Sequence, residues 1–406
     1  MSRERSRLEA LRRPFPIAFP LAQRKILVAL ASAVGLRMLG LFLVLPVFTL
    51  YGFRFTDSEI LVGVAFGGYG LMMAILQIPF GQLSDRLGRR KVLVLGMALF
   101  SLGSFLCAIP HWFPQAMRIG VLIAGRLIQG GGAIISVAFA AVADHIEPER
   151  RATAMAVLGI PIGAAFVGGV VAGPILAGVF GTAFLFWLSG LLGLGTVGLL
   201  LRYLPEGPAG RNAPAPLHAV LTIRPLLPLN TAGFLMNFFM ATFFFYFPLI
   251  VTGHHHVAMT RYYALLVPMM LVSGITMFGF SLGADRGWGR PLAVIAFLAF
   301  IPGSVLLFRP EVVGLDPNRL ASVLIAGALF YIGFTGLEPI LPSLVTRAAP
   351  DSAYGTALGV YNSVQFFGSF AGGLIGGALS QLPSTHIMAV LMAAALAGAV
   401  LMRPSR

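Results

Sequence analysis

Three ionisable side chains lie deep inside long apolar runs of this sequence: Arg37, Arg126 and Glu338. A charge at the centre of a bilayer costs at least about 2.5–3.5 kcal/mol if it faces lipid, so we expect all three to face the protein interior or a watery cavity. An arginine there can bind an anionic group or tune a proton site, and an isolated glutamate can carry a proton. The alternatives are arginines satisfied by backbone carbonyls, and a glutamate in an ion pair or near the headgroups.

Six further polar side chains inside apolar runs could donate or accept hydrogen bonds with a ligand. Bonds between neighbouring helices are an equal alternative for each of them. With the three ionisable groups, these six complete a predicted coupling and substrate cavity: Gln77, Gln129, Asn237, Tyr331, Asn362 and Gln365.

Composition places these residues in a membrane protein. The chain has 406 residues, of which 58% are hydrophobic and 10% charged, and its mean hydropathy is +0.89. A soluble domain is about 45–50% apolar and about 25% charged, so we expect a polytopic membrane protein. The net charge of +14 would suggest nucleic acid only in a soluble chain, and we expect no such partner.

Catalytic and metal-binding patterns are missing from the sequence. It has no phosphate-binding glycine loop after a strand, no strand pattern, and no catalytic triad or zinc-ligand spacing. His254, His255 and His256 are adjacent and have no Cys or acid close by in sequence, which argues against a metal site. We expect neither an enzyme nor a bound cofactor. Because Cys107 is the one cysteine, no intramolecular disulfide can form.

Twelve apolar runs are each long enough to cross a hydrocarbon core, which needs about 20 residues per helix. They predict an all-α protein with twelve transmembrane helices in two pseudo-symmetric six-helix bundles. A Pro- and Gly-rich break separates the halves and reads as a flexible linker. The predicted boundaries are an N-terminal tail at 1–25, the first bundle at 26–203, the linker at 204–224, the second bundle at 225–402 and the C-terminus at 403–406.

Basic residues sort by side of the predicted membrane. With the N-terminus inside, 21 of the 28 Lys and Arg residues fall in inner segments and 5 in outer segments. Short cytoplasmic loops retain Lys and Arg, so this asymmetry predicts that both chain ends are cytoplasmic. The two halves also repeat, because the sequence SDRLGRR at 84–90 returns as ADRGWGR at 284–290. Such a repeat in a membrane chain points to a transporter whose site lies between its halves.

Glycines and aromatics suggest how the helices pack. Gly63 and Gly67 in the second span, and Gly373 and Gly377 in the eleventh, have the four-residue spacing that lets membrane helices approach closely. We expect the glycine-rich spans 2, 5 and 11 to form the sliding surfaces. Eight aromatic residues between 234 and 247 surround the seventh span, so we expect some of them to face lipid.

The segment GQLSDRLGRRK at 81–91 closely resembles the loop signature between helices 2 and 3 of the major facilitator superfamily. Gly125, Arg126 and Gly130 resemble that family's helix-4 signature. The helix-5 antiporter signature of its proton-driven drug exporters resembles residues 169–178, although Ala177 stands where a glycine is usual. Residues 37–47 and 337–350 are similar to the YajR-type branch of bacterial transporters. The helix-5 positions that match are Gly169, Gly173, Pro174 and Gly178.

The resemblance implies roles for the loop. In the family its aspartate faces the start of helix 11 and its second arginine position pairs with an acid that ends helix 4. Those residues would be Asp85, Arg89 and Asp144, and Asp85 would latch the two halves together in an outward-facing state. The alternative is a loop whose bases only set topology and bind anionic lipid. The predicted latch comprises Gly81, Asp85, Arg86, Gly88, Arg89, Arg90 and Asp144.

The sequence thus predicts a monomeric transporter of the bacterial inner membrane that works by alternating access. The helix-5 resemblance and Glu338 favour export of a small amphiphilic compound by proton antiport, with the proton as coupling ion. Arg37 and Arg126 favour a rival, the import or exchange of a small organic anion. A membrane sensor or scaffold is a third alternative, which would need a soluble output domain.

Overall fold

The computed structural model describes residues 19–147, 150–206, 217–350 and 353–403, without the side chains of Arg151, Ala152, Ala156, His218, Ala219 and Tyr354. Most of the predicted N-terminal tail, linker residues 207–216 and the last three residues of the predicted C-terminus lie outside these ranges. Six helical spans form the first half: α1 (Leu21–Val44), α2 (Glu59–Leu87), α3 (Arg89–Ala108), α4 (Gln115–His145), α5 (Arg151–Phe180) and α6 (Thr182–Tyr203).

Six more spans form the second half. A short helix, Leu217–Leu221, precedes them within the segment predicted as an unstructured linker. The spans are α7 (Leu226–Pro248), α8 (Tyr263–Gly283), α9 (Gly289–Phe308), α10 (Leu320–Ala348), α11 (Tyr354–Leu379) and α12 (Ser384–Leu401).

Ten helical segments of the described chain are long and apolar enough to cross a membrane. One of them, Met259–Phe308, contains both α8 and α9, which a turn at Gly287 (φ 89°) separates. The 26-residue helix α11 then brings the number of spans to twelve. The all-α fold predicted from the apolar runs is confirmed.

Capping and turn residues explain where two of the helices begin. The Ser58 hydroxyl accepts a hydrogen bond from the amide of Leu61 and caps α2, as its position in the sequence predicts. Gly88 has a φ of 92° and makes the sharp turn from α2 to α3. The helix α1 begins at Leu21, within the segment predicted as the N-terminal tail, and α5 begins at Arg151.

The fourth span is broken, which the apolar pattern did not predict. It consists of Gln115–Gly130 and Ile135–His145, joined by four non-helical residues. Gly131 and Gly132 lie in this interruption, where small residues let neighbouring side chains come close to the backbone. A Cβ added at Gly132 would lie 3.3 Å from the Nε atom of Arg37. Because Gly132 has no side chain, the interruption leaves room for the guanidinium group of Arg37.

The two halves repeat in their packing as well as in their sequence. In the first half α1 packs on α5, α2 on α4, and α3 on both α4 and α6. The second half has the same pairs six helices later: α7 on α11, α8 on α10, and α9 on both α10 and α12. The main contacts between halves are also related by this repeat, because α2 packs on α11 and α5 packs on α8.

Close contact between the halves lies toward one end of the helices. We call the end with the α2–α3 turn the basic face, and the other end the opposite face. A Cβ at Gly63 would lie 2.5 Å from the carbonyl oxygen of Gly373, and one at Gly178 would meet Thr260 at 2.5 Å. Gly159 and Gly355, toward the basic face, have open space instead. The halves therefore meet tightly toward the opposite face, and the glycine-lined approach of α2 and α11 agrees with their spacing.

The aromatic residues of α7 are buried by protein. Phe238, Phe239 and Phe243 to Phe247 are at most 8% exposed, and Phe234 is half-buried. Phe243 stacks on Phe330 of α10 with ring centroids 3.9 Å apart. The expectation that some of these rings face lipid is wrong for this set, because α7 lies between α10, α11 and the other half of the molecule.

Candidate substrate site

Arg37 is fully buried in α1 without a carboxylate partner. Its Nη2 donates to the Tyr69 hydroxyl at 2.6 Å and contacts the Met73 sulfur at 2.8 Å, while its Nε has no partner. None of the ion pairs in the described chain includes this residue. The prediction that it faces the interior is correct. The alternative of satisfaction by backbone carbonyls does not describe its contacts, which are to a hydroxyl group and sulfur atoms.

Arg126 is the second buried cation and is 3% exposed. Its Nη1 donates to the Gln129 amide oxygen at 2.5 Å, and long bonds of 3.4 and 3.5 Å reach the carbonyls of Ala65 and Phe66. The guanidinium carbon lies 4.8 Å from the ring centroid of Tyr69. Here the carbonyl alternative applies in part, and again no carboxylate pairs with the residue in the described chain.

Tyr69 joins the two arginines into one centre. Its hydroxyl accepts from Arg37, and its ring lies against both guanidinium groups. A tyrosine ring stabilises a nearby cation by roughly 0.5–2 kcal/mol, which is less than the several kcal/mol that a buried charge costs. We call Arg37, Arg126 and Tyr69 the cationic centre. Two positive charges that have no carboxylate partner among the described residues make it a site where an anion would be held strongly.

Two glutamines extend the cationic centre. Gln129 accepts from Arg126 and donates from Nε2 to the Ser104 hydroxyl at 2.9 Å, so its amide is used within the protein. Gln77 on α2 is fully buried, and neither atom of its amide has a partner. A buried polar group without a hydrogen bond is destabilising, so Gln77 is available to a ligand.

Glu338 lies in α10, in the other half of the molecule. It is partly buried and close enough to Tyr361 of α11 for the two groups to interact electrostatically. No ion pair holds it in the described chain, so the ion-pair alternative does not describe it. The two cations and the one acid predicted to share a cavity are thus divided between α1–α4 and α10.

The other predicted cavity residues of the second half lie on α7, α10 and α11. The hydroxyls of Tyr331 and Tyr361 and the Nδ2 of Asn237 are buried and unpartnered. The Oδ1 of Asn237 accepts from Ser369 at 3.1 Å, which is the helix-to-helix alternative. Asn362 and Gln365 on α11 are half-buried.

An aromatic seam joins the halves between these two polar regions. Phe166 of α5 packs against Tyr331 and Phe334 of α10, with ring centroids 6.2 and 5.9 Å apart. We call these three residues the aromatic seam. It supplies an apolar surface at the boundary between the halves, with polar groups on either side.

The residues predicted to form the latch make ion pairs within the first half. Arg89 pairs with Asp85 at 2.5 Å and with Asp144 at 2.8 Å, so the pair with the acid ending α4 is present as the resemblance implies. In this structure the halves are closed toward the opposite face. Asp85 at the basic face pairs with Arg89 of its own half. Arg90 donates to the Leu201 carbonyl at 2.6 Å. Arg86 is exposed, Gly81 lies inside α2 near its end, and Gly88 makes the turn.

The helix-5 glycines have packing contacts. A Cβ at Gly169 would lie 2.8 Å from the Cβ of Phe42, and one at Gly173 would lie 2.0 Å from the Leu43 carbonyl oxygen. Both therefore let α5 lie close against α1, next to the helix that carries Arg37. Pro174 lies inside α5, and Gly178 meets Thr260 of the second half.

Tyr69, Met73, Tyr361 and Phe166 are site residues that the sequence analysis missed. Tyr69 carried a usable signal, because a tyrosine in an otherwise apolar span needs a partner for its hydroxyl when buried. Met73 gave no such signal, since methionine is ordinary core material.

Comparison with known proteins decides the family. The model of the Major Facilitator Superfamily matches residues 30–373. The chain belongs to the major facilitator superfamily. It is a multi-pass membrane transporter with the twelve-helix fold of that superfamily. The chain is 30% identical to the inner membrane transport protein YajR of Escherichia coli over 362 residues, which cover 87% of this chain and 77% of that protein.

Other members of the superfamily match as well. A multidrug resistance protein B homolog of Mycobacterium tuberculosis is 33% identical over 37% of this chain and 27% of its own length. A 3-(3-hydroxy-phenyl)propionate transporter of Escherichia coli is 28% identical over 78% of this chain and 76% of its own. Among solved structures, the human organic anion transporter MFSD10 superposes with a TM-score of 0.67 at 18% identity, covering 95% of this chain and all of that one. This last likeness concerns the fold alone.

Proposed function

We propose that this superfamily member is a proton-coupled transporter that exports a small amphiphilic organic anion across the bacterial inner membrane by alternating access. The observation that carries the proposal is the cationic centre, in which two buried arginines have no carboxylate partner in the described chain. An uncompensated buried charge costs several kcal/mol, and an anionic ligand removes that cost.

The chemistry around the centre supports an amphiphilic anion. A carboxylate or similar group would accept from Arg37, whose Nε lacks a partner, and from the free amide of Gln77. An aromatic or aliphatic body would then contact the aromatic seam between the halves. A substrate that contacts both halves can change their relative stability in the two states, as alternating access requires.

Glu338 supports proton coupling. It is the acid nearest the middle of a span, it has no ion pair in the described chain, and it lies in the half without the cationic centre. A carboxyl group there can take up a proton without competing with the substrate for an arginine. The helix-5 glycines and the multidrug relative support antiport and therefore export. Import of the same anion is the second candidate, which the hydroxyphenylpropionate relative favours.

Paired ligands test the anion. We would measure thermal stabilisation of the purified protein by aromatic and alkyl carboxylates and by the amide of each. A ligand that binds only the folded state raises its apparent stability by mass action. We expect carboxylates to stabilise the protein and their amides to fail. Equal stabilisation by a carboxylate and its amide would rule out the anionic substrate.

Proteoliposomes test the coupling and its direction. The pH gradient across the vesicle is imposed in one direction and then reversed, and the flux of a stabilising carboxylate is followed. Antiport requires the carboxylate to move against the proton in both cases. Movement with the proton would favour import, and a flux independent of the gradient would overturn the coupling.

A further inference from the structure

A pocket with two arginines lies at the basic face of the second half, away from the cationic centre. Gly287, Gly289 and Arg290 line it from the turn between α8 and α9, and Ser343, Leu344 and Arg347 line it from the end of α10. Arg290 is half-buried and Arg347 is exposed. Each of these guanidinium groups can donate several hydrogen bonds to an oxyanion.

The repeat shows what is unusual about these arginines. In the first half, Arg89 has two carboxylates and Arg90 lies 3.7 Å from Glu206. In the second half, Arg290 follows the repeated turn, and its recorded bond is a long one of 3.4 Å to the carbonyl of Arg403. Neither Arg290 nor Arg347 takes part in an ion pair in the described chain. The second half keeps Asp285 as the counterpart of Asp85, but in the described chain no carboxylate pairs with Arg290, the counterpart of Arg90.

The start of α9 adds to the positive potential. That 20-residue helix begins at Gly289, and no side chain caps its first turn. The turn before it has a left-handed residue, Gly287, and a Cβ there would meet nothing within 4 Å. An anion thus has room to approach the backbone between the two arginines.

Two features of the surroundings indicate a lipid rather than a free ion. Trp288 in the same turn is 65% exposed, as expected of an indole at the headgroup level of a bilayer. Leu344 and Ile340 give the pocket an apolar wall. A phosphate joined to an acyl chain satisfies both the arginines and this wall.

We propose that Arg290, Arg347 and the start of α9 form a binding site for a phosphate anion, supplied by the headgroup of an anionic phospholipid. The site is independent of the transported substrate, and it lies at the second-half counterpart of the turn whose arginines pair with carboxylates in the first half. Bound lipid there joins the α8–α9 turn to the end of α10 at the basic face.

The test uses the full chain in detergent. Phosphatidylglycerol, cardiolipin, phosphatidylcholine and inorganic phosphate are titrated separately while thermal unfolding is followed. The variants are Arg347→Gln, Arg290→Gln, Arg347→Lys and, as matched control, Arg286→Gln, an exposed arginine of the same turn that does not line the pocket.

We expect anionic lipids to raise the melting temperature of the wild type and of Arg286→Gln, and phosphatidylcholine to have no such effect. Loss of one arginine removes charge-assisted hydrogen bonds, so Arg347→Gln should weaken the apparent lipid affinity at least about tenfold. Arg347→Lys should retain part of it. Because Arg347 is exposed, its variants should fold even if Arg290→Gln does not.

Three results separate the outcomes. Equal protection by inorganic phosphate and by anionic lipid supports the phosphate site and rejects the lipid as its source. Equal protection of Arg347→Gln and the wild type overturns the site, as does failure of every anion to protect the wild type. Loss of carboxylate binding alone would reject the proposed function and leave this site standing.

Discussion

The two halves of this transporter have the same helix pairs and opposite chemistry. The first half buries two arginines around Tyr69 and pairs Asp85 and Asp144 with Arg89 at the basic face. The second half buries stacked aromatic rings and places a partly buried acid, Glu338, between α10 and α11. The difference shows that two halves with the same helix packing can have different chemistry. In the proposed function the first half binds the anionic group, and the second half carries the proton and contacts the apolar part of the substrate.

Removing Arg37 should have the largest effect. In Arg37→Gln we expect carboxylate binding to fall by about 100-fold or more, because a buried charge-assisted contact is lost. The apo protein should lose little stability or gain some, since the charge removed has no counter-ion. Carboxylate affinity and thermal unfolding are measured together, with exposed Arg261→Gln as the control. A strongly destabilised apo protein would show that the arginine is structural, and the two halves would no longer differ in role.

Glu338→Gln should separate coupling from binding. We expect uphill transport driven by a pH gradient to fall at least about tenfold, while carboxylate exchange between equal concentrations continues. The glutamine keeps the shape of the side chain and cannot exchange a proton. Transport in proteoliposomes is the measurement, and exposed Glu311→Gln is the control. If Glu338→Gln still couples transport to the pH gradient, the proton site lies elsewhere, and the second half does not have the role assigned to it.

Gly373→Val should block closure toward the opposite face. Its Cβ would lie 2.9 Å from the amide nitrogen of Gly67, and the valine methyl groups would clash further. We expect spin labels on α2 and α11 at that face to move apart and transport to fall several-fold. Gly359→Val is the matched control on the same helix, because a Cβ there meets nothing within 4 Å. Equal effects of the two variants would contradict the glycine contact.

Asp144→Asn should have the smallest effect. The Asp144 side chain is 34% exposed and Arg89 keeps its second partner, Asp85, so the loss of stability should be about 0.2–1 kcal/mol. Chemical denaturation measures it. Asp85→Asn should change the balance of inward and outward states more than Asp144→Asn does, if Asp85 acts as the latch. Unchanged transport and unchanged populations in Asp85→Asn would reject the latch.

The sequence predicted the fold well because its signals are strong there. Apolar runs of about 20 residues, the distribution of bases and the loop at 81–91 each point to the same twelve helices. It also found Arg37, Arg126 and Glu338, because charge in a span is rare. It placed them in different halves but could not say whether they meet in one cavity, since one-dimensional spacing does not say which helix faces meet. The break in α4 escaped because Gly131 and Gly132 read as ordinary span glycines, and their effect depends on Arg37 lying beside them.

The break in α4 lies between the cationic centre and the ion pairs at the basic face. The 11-residue segment beyond it, Ile135–His145, ends at the acid that grips Arg89, while the interruption itself abuts the guanidinium group of Arg37. A continuous helix constrains the orientation of both of its ends, whereas the break at residues 131–134 uncouples the orientation of the two segments of α4. The cationic centre deep in the bundle and the ion pairs at the basic face are therefore joined through one interrupted helix.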